Sequence, residues 1–450
     1  MHDLALVGFL FALMAAGFRR PFVFVLAYVY IDNVSPQRLS YYLLNSVPVS
    51  LIFAGLAIGA WAFVDDKRDS RIGPRQVLLL LLLIYCGVTT TQADFPLEAA
   101  SKWSWVCKAL AFAIFLPLTL RTRLRFEALG LFMILSAATI IIVGGIKTVV
   151  SGGGYGALNL MVTNNTGLYE SSIISTVAIA IIPLILYLRK HGTVFPADWR
   201  VTLFAIALIF ACALIPVGTE ARTGLVCLGV LLLLSLRFTR RRMLYLGSLA
   251  AIALIAVPLL PSSFTNRMDT IKSYKADQSA STRLAVWAWT WDYAKDHPFG
   301  GGFDAYRQNK LRMELQETSD GGNTQSVETV VTTDAARAYH SSYFEMLGEQ
   351  GFPGLVLWLL IHGLGVVRME LLYRRYRDRA PDNDQWIGAL ASALQQAHII
   401  YLVGAIFVGI AYQPFVYLLV GMQIGLDTYA GRRASEAGWR PIGGLRSAAA

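Results

Sequence analysis

Charged residues are scarce in this sequence. Asp, Glu, Lys and Arg make up 15% of its 450 residues, whereas a soluble domain is about 25% charged. Apolar residues make up 55% of the chain and gather in blocks long enough for a helix to cross about 30 Å of hydrocarbon. These blocks lack the alternation of apolar and polar residues that the strands of a membrane barrel require. The composition excludes a soluble globular protein and predicts an all-α, polytopic transmembrane helical bundle.

Cysteine is also scarce, and metal-binding and nucleotide-binding motifs are missing. The four cysteines lie inside apolar blocks without CxxC spacing, so we expect core residues and not disulfides or metal ligands. The sequence has no HExxH, GxSxG or Cys/His cluster, and the glycine runs at 152–154 and 300–302 are not P-loops. Asp382-Asn383-Asp384 matches the D-x-D of metal-dependent sugar transferases, but it lies in a short basic loop and is interpreted as a solvated turn. Any chemistry is predicted to need no metal or cofactor and to rest on histidine and arginine.

The positive net charge of +10 is a signal of membrane topology. Of the 39 basic residues, 25 lie in short connections between apolar blocks, which the positive-inside rule assigns to the cytoplasm. These connections are 18–20, 65–75, 121–125, 189–200, 237–242, 368–379 and the tail 431–450. We therefore expect no nucleic-acid partner and contact with membrane lipids instead.

The apolar blocks predict about twelve membrane spans. Eleven are 42–64, 76–93, 103–120, 126–148, 169–188, 200–217, 223–236, 243–260, 351–372, 386–411 and 413–430. Residues 4–36 form either one span with an interfacial piece or a short hairpin around Arg19-Arg20, which leaves the side of the N-terminus open. The predicted organisation is an N-terminal bundle (1–260), a large outer loop (261–350), C-terminal helices (351–430) and a cytoplasmic tail (431–450).

The outer loop has nine basic and twelve acidic residues, the opposite balance from the rest of the chain. Residues 281–295 predict a helix that carries Arg283, Trp287 and Trp291 on one face. Residues 314–336 are polar and rich in Gly, Ser and Thr, which predicts a mobile segment. A second helix is expected from about Ala335 to Gln350. The loop is thus predicted to be a helical cap on the outer mouth of the bundle.

Three residues are candidates for chemistry. His340, on the second predicted helix, either packs at the membrane interface or acts as a general base, since an imidazole can move a proton at neutral pH. Arg222, at the outer end of two spans, and Arg283 either reach the interface or bind a phosphate in bidentate geometry. Within the span 386–411, Gln395, Gln396 and His398 either form hydrogen bonds between helices or line a cavity, and we favour the hydrogen bonds.

Three segments together resemble the signatures of the O-antigen ligase and O-antigen polymerase superfamily. The first is AYHSSYFEMLGEQGFPGL, residues 338–355, with its histidine and its Glu-x-Gly-x-x-Gly-Leu. The second is Arg283-x3-Trp287 followed by DHPFGGGF at 296–303, and the third is Ala221-Arg222-Thr223-Gly224, where Ser/Thr-Arg-Gly is more usual. The N-terminal portion is similar to the branch described as exosortase-associated O-glycosylation ligases.

The resemblance implies an inverting, metal-independent glycosyltransferase of a bacterial inner membrane, with its active site facing the periplasm. Its donor would be a glycan linked to undecaprenyl diphosphate, and its acceptor lipid A–core or another glycan. By this analogy His340 activates the acceptor hydroxyl, while Arg222 and Arg283 hold the diphosphate. Trp287, Tyr343 and Glu345 are expected to support the site.

Two other functions stay open at this stage. An O-antigen or exopolysaccharide polymerase, or a protein O-oligosaccharyltransferase, would use the same residues, although the loop 149–168 has no Lys or Arg, which favours a ligase. A non-catalytic flippase of the lipid-linked glycan would need several charged residues at mid-membrane depth.

Overall fold

Helices dominate the computed structural model, which describes residues 2–36, 40, 42–44, 46–67, 70–151, 168–238, 241–244, 246–247, 278–321, 324–377 and 384–438. The N-terminal part contains α1 His2–Arg19, α2 Phe22–Val34, α3 Val49–Phe63, α4 Pro74–Thr91, α5 Pro96–Thr119, α6 Arg123–Ser151, α7 Ser171–His191, α8 Trp199–Gly218 and α9 Arg222–Ser235, with a 3₁₀ turn at Leu236–Phe238. Among the described residues, seven helices are long and apolar enough to cross a membrane. The predicted all-α membrane fold is confirmed.

The N-terminal block is a helical hairpin, which decides between the two predicted alternatives. Its helices α1 and α2 meet at a turn formed by Arg20 and Pro21. Phe18 and Phe24 pack edge to face across that turn, with ring centroids 5.3 Å apart. The predicted span 243–260 lies almost wholly outside the described residues.

The outer loop and the C-terminal part contain α10 Gln278–Asp296, a 3₁₀ turn Ala305–Gln308, the strands β1 Lys310–Gly321 and β2 Thr324–Ala335, and the helices α11 Ser342–Tyr376, α12 Gln385–Gly404 and α13 Pro414–Gly438. The predicted helix at 281–295 is confirmed by α10. The cap is not purely helical, however, because β1 and β2 pair antiparallel from Lys310–Ala335 to Gly321–Thr324, in the segment predicted to be mobile.

The prediction that places His340 on a helix is wrong, because α11 begins only at Ser342. Its first turn is fixed by the connection between α12 and α13. The backbone N–H of Ser342 donates to Ala405 O at 2.8 Å, and its hydroxyl donates to Val408 O at 2.9 Å. The same hydroxyl accepts from the backbone N–H of Ile410 at 2.9 Å. These contacts from distant residues set the helix start and leave His340 in the preceding turn.

A break at Gly351 divides α11 directly after Gln350, the residue at which the second helix of the outer loop was predicted to end. Gly351 has φ 62° and ψ −166°, a conformation that favours glycine. Pro353, two residues on, has no backbone N–H to donate to the carbonyl four residues earlier, which belongs to Glu349. The break therefore leaves carbonyl groups of the first segment without their partners within the helix.

The glycine turn at residues 300–302 satisfies those carbonyl groups. The backbone N–H of Gly301 donates to Gly348 O at 3.1 Å, and that of Gly302 donates to Glu349 O at 2.9 Å. In return the backbone N–H of Phe352 donates to Pro298 O at 2.9 Å. A Cβ at Gly300 would overlap the backbone of α11. The two glycine-containing signatures thus interlock through their main chains.

Inside the bundle, Arg75, Gln423, His398 and His362 form a chain of hydrogen bonds among α4, α11, α12 and α13. Gln423 Oε1 accepts from Arg75 Nη2 at 3.0 Å, and Gln423 Nε2 lies 3.0 Å from His398 Nδ1. His398 Nε2 lies 2.7 Å from Nδ1 of His362. All four residues are buried. The expected hydrogen bonding between helices is confirmed for His398.

The hydrogen bonds that link these four residues can be donated in one direction only, starting from Arg75. Arginine can only donate, so the amide oxygen of Gln423 faces Arg75 and its NH₂ group donates to His398 Nδ1. His398 must then carry its proton on Nε2 and donate it to His362 Nδ1. Consequently His362 carries its own proton on Nε2. Both histidine tautomers follow from the donor chemistry of one arginine.

We predict that Gln423→Leu destabilises the bundle. The substitution removes the partner of a guanidinium N–H and of a ring nitrogen, and each buried group left unpaired costs about 1–3 kcal/mol. Thermal unfolding in detergent should show a clear decrease in Tm. Gln396→Leu is the matched control, because Gln396 binds only Ser392 of its own helix among the described residues. Equal Tm values for the two variants would contradict the prediction.

Candidate functional site

His340 has a backbone conformation that non-glycine residues seldom adopt. Its φ is 47°, in the left-handed region, and such strain persists only where surrounding contacts enforce it. The indole Nε1 of Trp287 donates to the carbonyl of Tyr339 at 2.8 Å. On the other side, the Asn309 side chain donates to Arg337 O at 2.7 Å and accepts from Arg337 N at 2.9 Å. The turn that carries His340 is thereby fixed from both α10 and the base of the hairpin.

A cavity of about 270 Å³ lies beside this turn. Its lining comes from α5, the start of α7, α10, the turn before α11, α11 itself and the connection after α12. The lining residues are Lys102, Glu170, Ser172, Ile173, Arg283, Tyr306, Ala338, Tyr339, His340, Glu345, Glu349, Phe407, Val408 and Gly409. The structure thus brings together two of the three predicted residues, His340 and Arg283.

Arg222, the third predicted residue, is not among the residues that line the cavity. It opens α9, whose first turn packs against the first turns of α7, and a Cβ at Gly224 would overlap Ser175. The hydroxyls of Ser175 and Thr219 lie 3.0 Å apart at the same level. Since the N-terminal end of α7 also supplies Ser172 to the cavity, Arg222 lies on an element adjacent to the cavity wall.

The imidazole of His340 is biased towards its neutral form. Burial lowers its pKa below the ordinary value, and the positive charges of Arg283 and Arg337 lower it further. A neutral imidazole can accept a proton, so the pKa shift suits a general base at neutral pH.

Lys102 forms an ionic cluster in the lining of the cavity. Its Nζ lies 2.7 Å from Glu345 Oε1, 2.8 Å from Glu349 Oε1 and 3.9 Å from Asp304 Oδ1. Glu349 also accepts from the backbone N–H of Asp304 at 3.0 Å. The Lys102 side chain is 13% exposed and that of Glu349 is fully buried. Paired charges at this burial are stable only while every partner stays in place.

The three residues predicted to support the site hold its framework together. Trp287 stacks on Phe344 with ring centroids 5.0 Å apart, in addition to its hydrogen bond to Tyr339 O. The hydroxyl of Tyr343 donates to Leu402 O at 3.1 Å. Glu345 binds Lys102 and accepts from the backbone N–H of Ala411 at 3.1 Å. Of the three, Glu345 is the one that lines the cavity.

The sequence analysis did not single out Lys102, Asp304 and Glu170, which line the cavity or bind its lining residues. A signal existed for Lys102, since a lysine near the outer end of a span departs from the positive-inside pattern of the other connections. No comparable signal marked Asp304, because its partner Lys102 lies far away in the sequence.

Two family models match the chain. Residues 1–193 match a family of unknown function, DUF5935. Residues 205–359 match the family described as O-antigen ligase, and this segment contains Arg222, Arg283 and His340. No curated protein matches the chain. The resemblance to the O-antigen ligase superfamily is therefore confirmed over the part of the chain that carries the three signatures.

We predict that Lys102→Met destabilises the protein by about 3–5 kcal/mol, because it leaves buried carboxylates without their cation. Lys102→Arg keeps the positive charge and should lower the free energy of unfolding by less than Lys102→Met does. Unfolding of the detergent-solubilised protein measures the effect. Lys295→Met is the matched control, since Lys295 forms an exposed pair with Asp292 at 2.8 Å and such pairs contribute less than about 1 kcal/mol. A Lys102→Met protein as stable as the control would show that the cluster does not stabilise the fold.

Proposed function

We propose that this chain, a member of the O-antigen ligase superfamily through its residues 205–359, transfers a glycan from undecaprenyl diphosphate to an acceptor hydroxyl. The transfer takes place at the periplasmic face of a bacterial inner membrane, and the preferred acceptor is lipid A–core. The observation that carries the proposal is the cavity in which a histidine of lowered pKa faces an arginine.

The proposed reaction is a single displacement with inversion. His340 takes the proton from the acceptor hydroxyl as the acceptor oxygen attacks the anomeric carbon of the donor. The bond between that carbon and the diphosphate oxygen breaks, and both electrons of that bond leave with the diphosphate. Arg283 stabilises the charge that grows on the leaving group, which a guanidinium does best in bidentate contact with phosphate. Neither step requires a metal ion.

The electrostatics of the cavity support these roles. A cation beside the base keeps the imidazole neutral before the reaction, and the same cation can bind the anionic donor. Once the diphosphate occupies Arg283, its negative charge compensates the guanidinium, so the imidazole becomes a stronger base as the substrate binds. Arg222 is assigned to the outer part of the diphosphate, because it opens the helix next to the α7 wall of the cavity.

A polymerase or a protein O-oligosaccharyltransferase would use the same three residues, and the products distinguish them from a ligase. If this protein is a ligase, deletion of its gene leaves full-length glycan chains on undecaprenyl diphosphate. If it is a polymerase, the same deletion leaves single glycan repeats. The absence of Lys and Arg from the loop 149–168 favours the ligase.

We predict that His340→Ala lowers the rate of transfer by about 10²–10⁴-fold, the usual contribution of a general base. The assay is transfer from purified lipid-linked glycan by the reconstituted protein, together with the fold and Tm of the variant. His297→Ala is the control, since His297 also lies in the outer loop and stacks on Tyr293 with centroids 4.2 Å apart. Wild-type transfer by a folded His340→Ala protein would rule out the proposed role.

We predict that Arg337→Gln shifts the acidic side of the pH–rate profile to higher pH. The base is active only when neutral, so kcat/KM falls as the pH drops through the pKa of His340. Arg337 lowers this pKa, and its removal should raise it towards its ordinary value. Activity would then be lost at a higher pH than in the wild type as the solution is acidified, and would stay unchanged on the alkaline plateau. Lys295→Gln should leave the profile in place, and a shift of Arg337→Gln to lower pH would contradict the assignment.

A further inference from the structure

The charges that line the cavity are unevenly distributed. Beyond the His340–Arg283 side, its lining includes three carboxylates, Glu170, Glu345 and Glu349, against one further cation, Lys102. The ammonium of Lys102 is bound to Glu345 and Glu349, so the carboxylate of Glu170 has no cation among the remaining lining residues. A diphosphate binds the cationic side. The rest of the cavity disfavours a second anion, because like charges in a partly desolvated site repel.

Glu170 is held in a defined orientation at the cavity wall. It is the N-cap residue of α7, with φ −80° and ψ 139°, and its Oε2 accepts from the backbone N–H of Ile173 at 2.8 Å. Such a cap fixes the carboxyl group and leaves its second oxygen with acceptor capacity. The half-buried carboxylate is thus preorganised to accept hydrogen bonds.

A second acceptor lies in the lining of the same cavity. The side chain of Glu349 is fully buried, and its Oε2 has no hydrogen-bond partner among the described residues. An unpaired buried carboxylate oxygen is costly, and a donor that approaches it gains a charge-assisted hydrogen bond. The lining therefore offers acceptors for the hydroxyl groups of a ligand.

The remaining lining suits a sugar ring. Tyr306, Tyr339 and Phe407 contribute aromatic surface, on which the apolar face of a pyranose can pack while its hydroxyls point to the carboxylates.

We propose that this cavity binds one uncharged sugar residue of the acceptor, and that Glu170 is the specificity-determining residue that accepts its hydroxyl hydrogen bonds. The proposal rests on the proposed function, since the bound sugar presents its reactive hydroxyl to His340. It narrows the substrate class: the sugar that receives the glycan carries no phosphate, whatever charges lie elsewhere on the acceptor.

The test uses the full-length protein in detergent with a purified lipid-linked glycan donor and two probe acceptors, octyl glucoside and octyl glucoside 6-phosphate. Each probe is assayed as an acceptor and as an inhibitor of transfer to membrane-extracted native acceptor. We expect the neutral glucoside to accept or inhibit at a concentration at least about tenfold lower than its phosphate. If neither compound accepts or inhibits, or if the phosphate is preferred, the proposal is overturned.

Glu170→Gln tests the contribution of the negative charge of Glu170, because it removes that charge. The glutamine oxygen can still cap Ile173, so α7 keeps its start, but the hydrogen bonds to the sugar lose their ionic acceptor. We expect KM for the neutral probe to rise about tenfold, as for the loss of a charge-assisted bond, with kcat and the donor KM unchanged. The preference over the phosphate should fall to about twofold or less.

Asp198→Asn is the matched control, because Asp198 caps α8 by accepting from Arg200 N at 2.7 Å, far from the cavity in sequence and outside its lining. Asp198→Asn should change Tm slightly and leave unaltered both the KM for the neutral acceptor and the preference for the neutral glucoside over its phosphate. If Glu170→Gln behaves like this control, Glu170 has no role in specificity. The two proposals can fail separately. Transfer by a His340→Ala protein refutes the proposed catalytic role of His340. Loss of transfer in His340→Ala together with an unaffected Glu170→Gln protein refutes only the proposed sugar subsite.

Discussion

The ammonium group of Lys102 is the interaction on which the site depends. Its three carboxylate partners come from two other segments: Asp304 follows the glycine turn of the outer loop, while Glu345 and Glu349 are one turn apart on α11. Residues four apart share one helix face, so a single cation can bind both glutamates at once. Because a buried charge is unstable without its partners, this cation holds the outer loop against the bundle.

The glycine turn and the break in α11 add a main-chain contribution at the same place. Glu349 participates in both, since its carboxylate binds Lys102 while its carbonyl accepts from Gly302 N. The ionic cluster and the broken helix are therefore one structural unit, and His340 lies nine residues before it in the chain. The strained turn of His340 is held by contacts from Trp287 and Asn309, which belong to other segments of the outer loop.

Most of the fold could be predicted from the sequence, because membrane spans are coded locally. Each apolar block predicted a helix, and α10, Gln278–Asp296, covers the helix that was predicted at residues 281–295. The start of α11 could not be predicted in this way: the residues around His340 suit a helix, and only hydrogen bonds to residues more than 60 positions later move its start to Ser342. For the candidate site, the family resemblance pointed to Arg283 and His340, and both residues line one cavity. The ion pair between Lys102 and Glu349 joins residues 247 positions apart, which no local pattern reveals.

The directional hydrogen-bond chain inside the bundle has a consequence for proton balance. In His398 and His362, one ring nitrogen of each already bears the proton and the other already accepts a hydrogen bond. Neither ring can take up a proton unless a bond of the chain breaks, and the neighbouring Arg75 opposes a second positive charge there. Among the described residues, these hydrogen bonds therefore fix both histidines in one tautomer each and leave neither ring free to relay a proton.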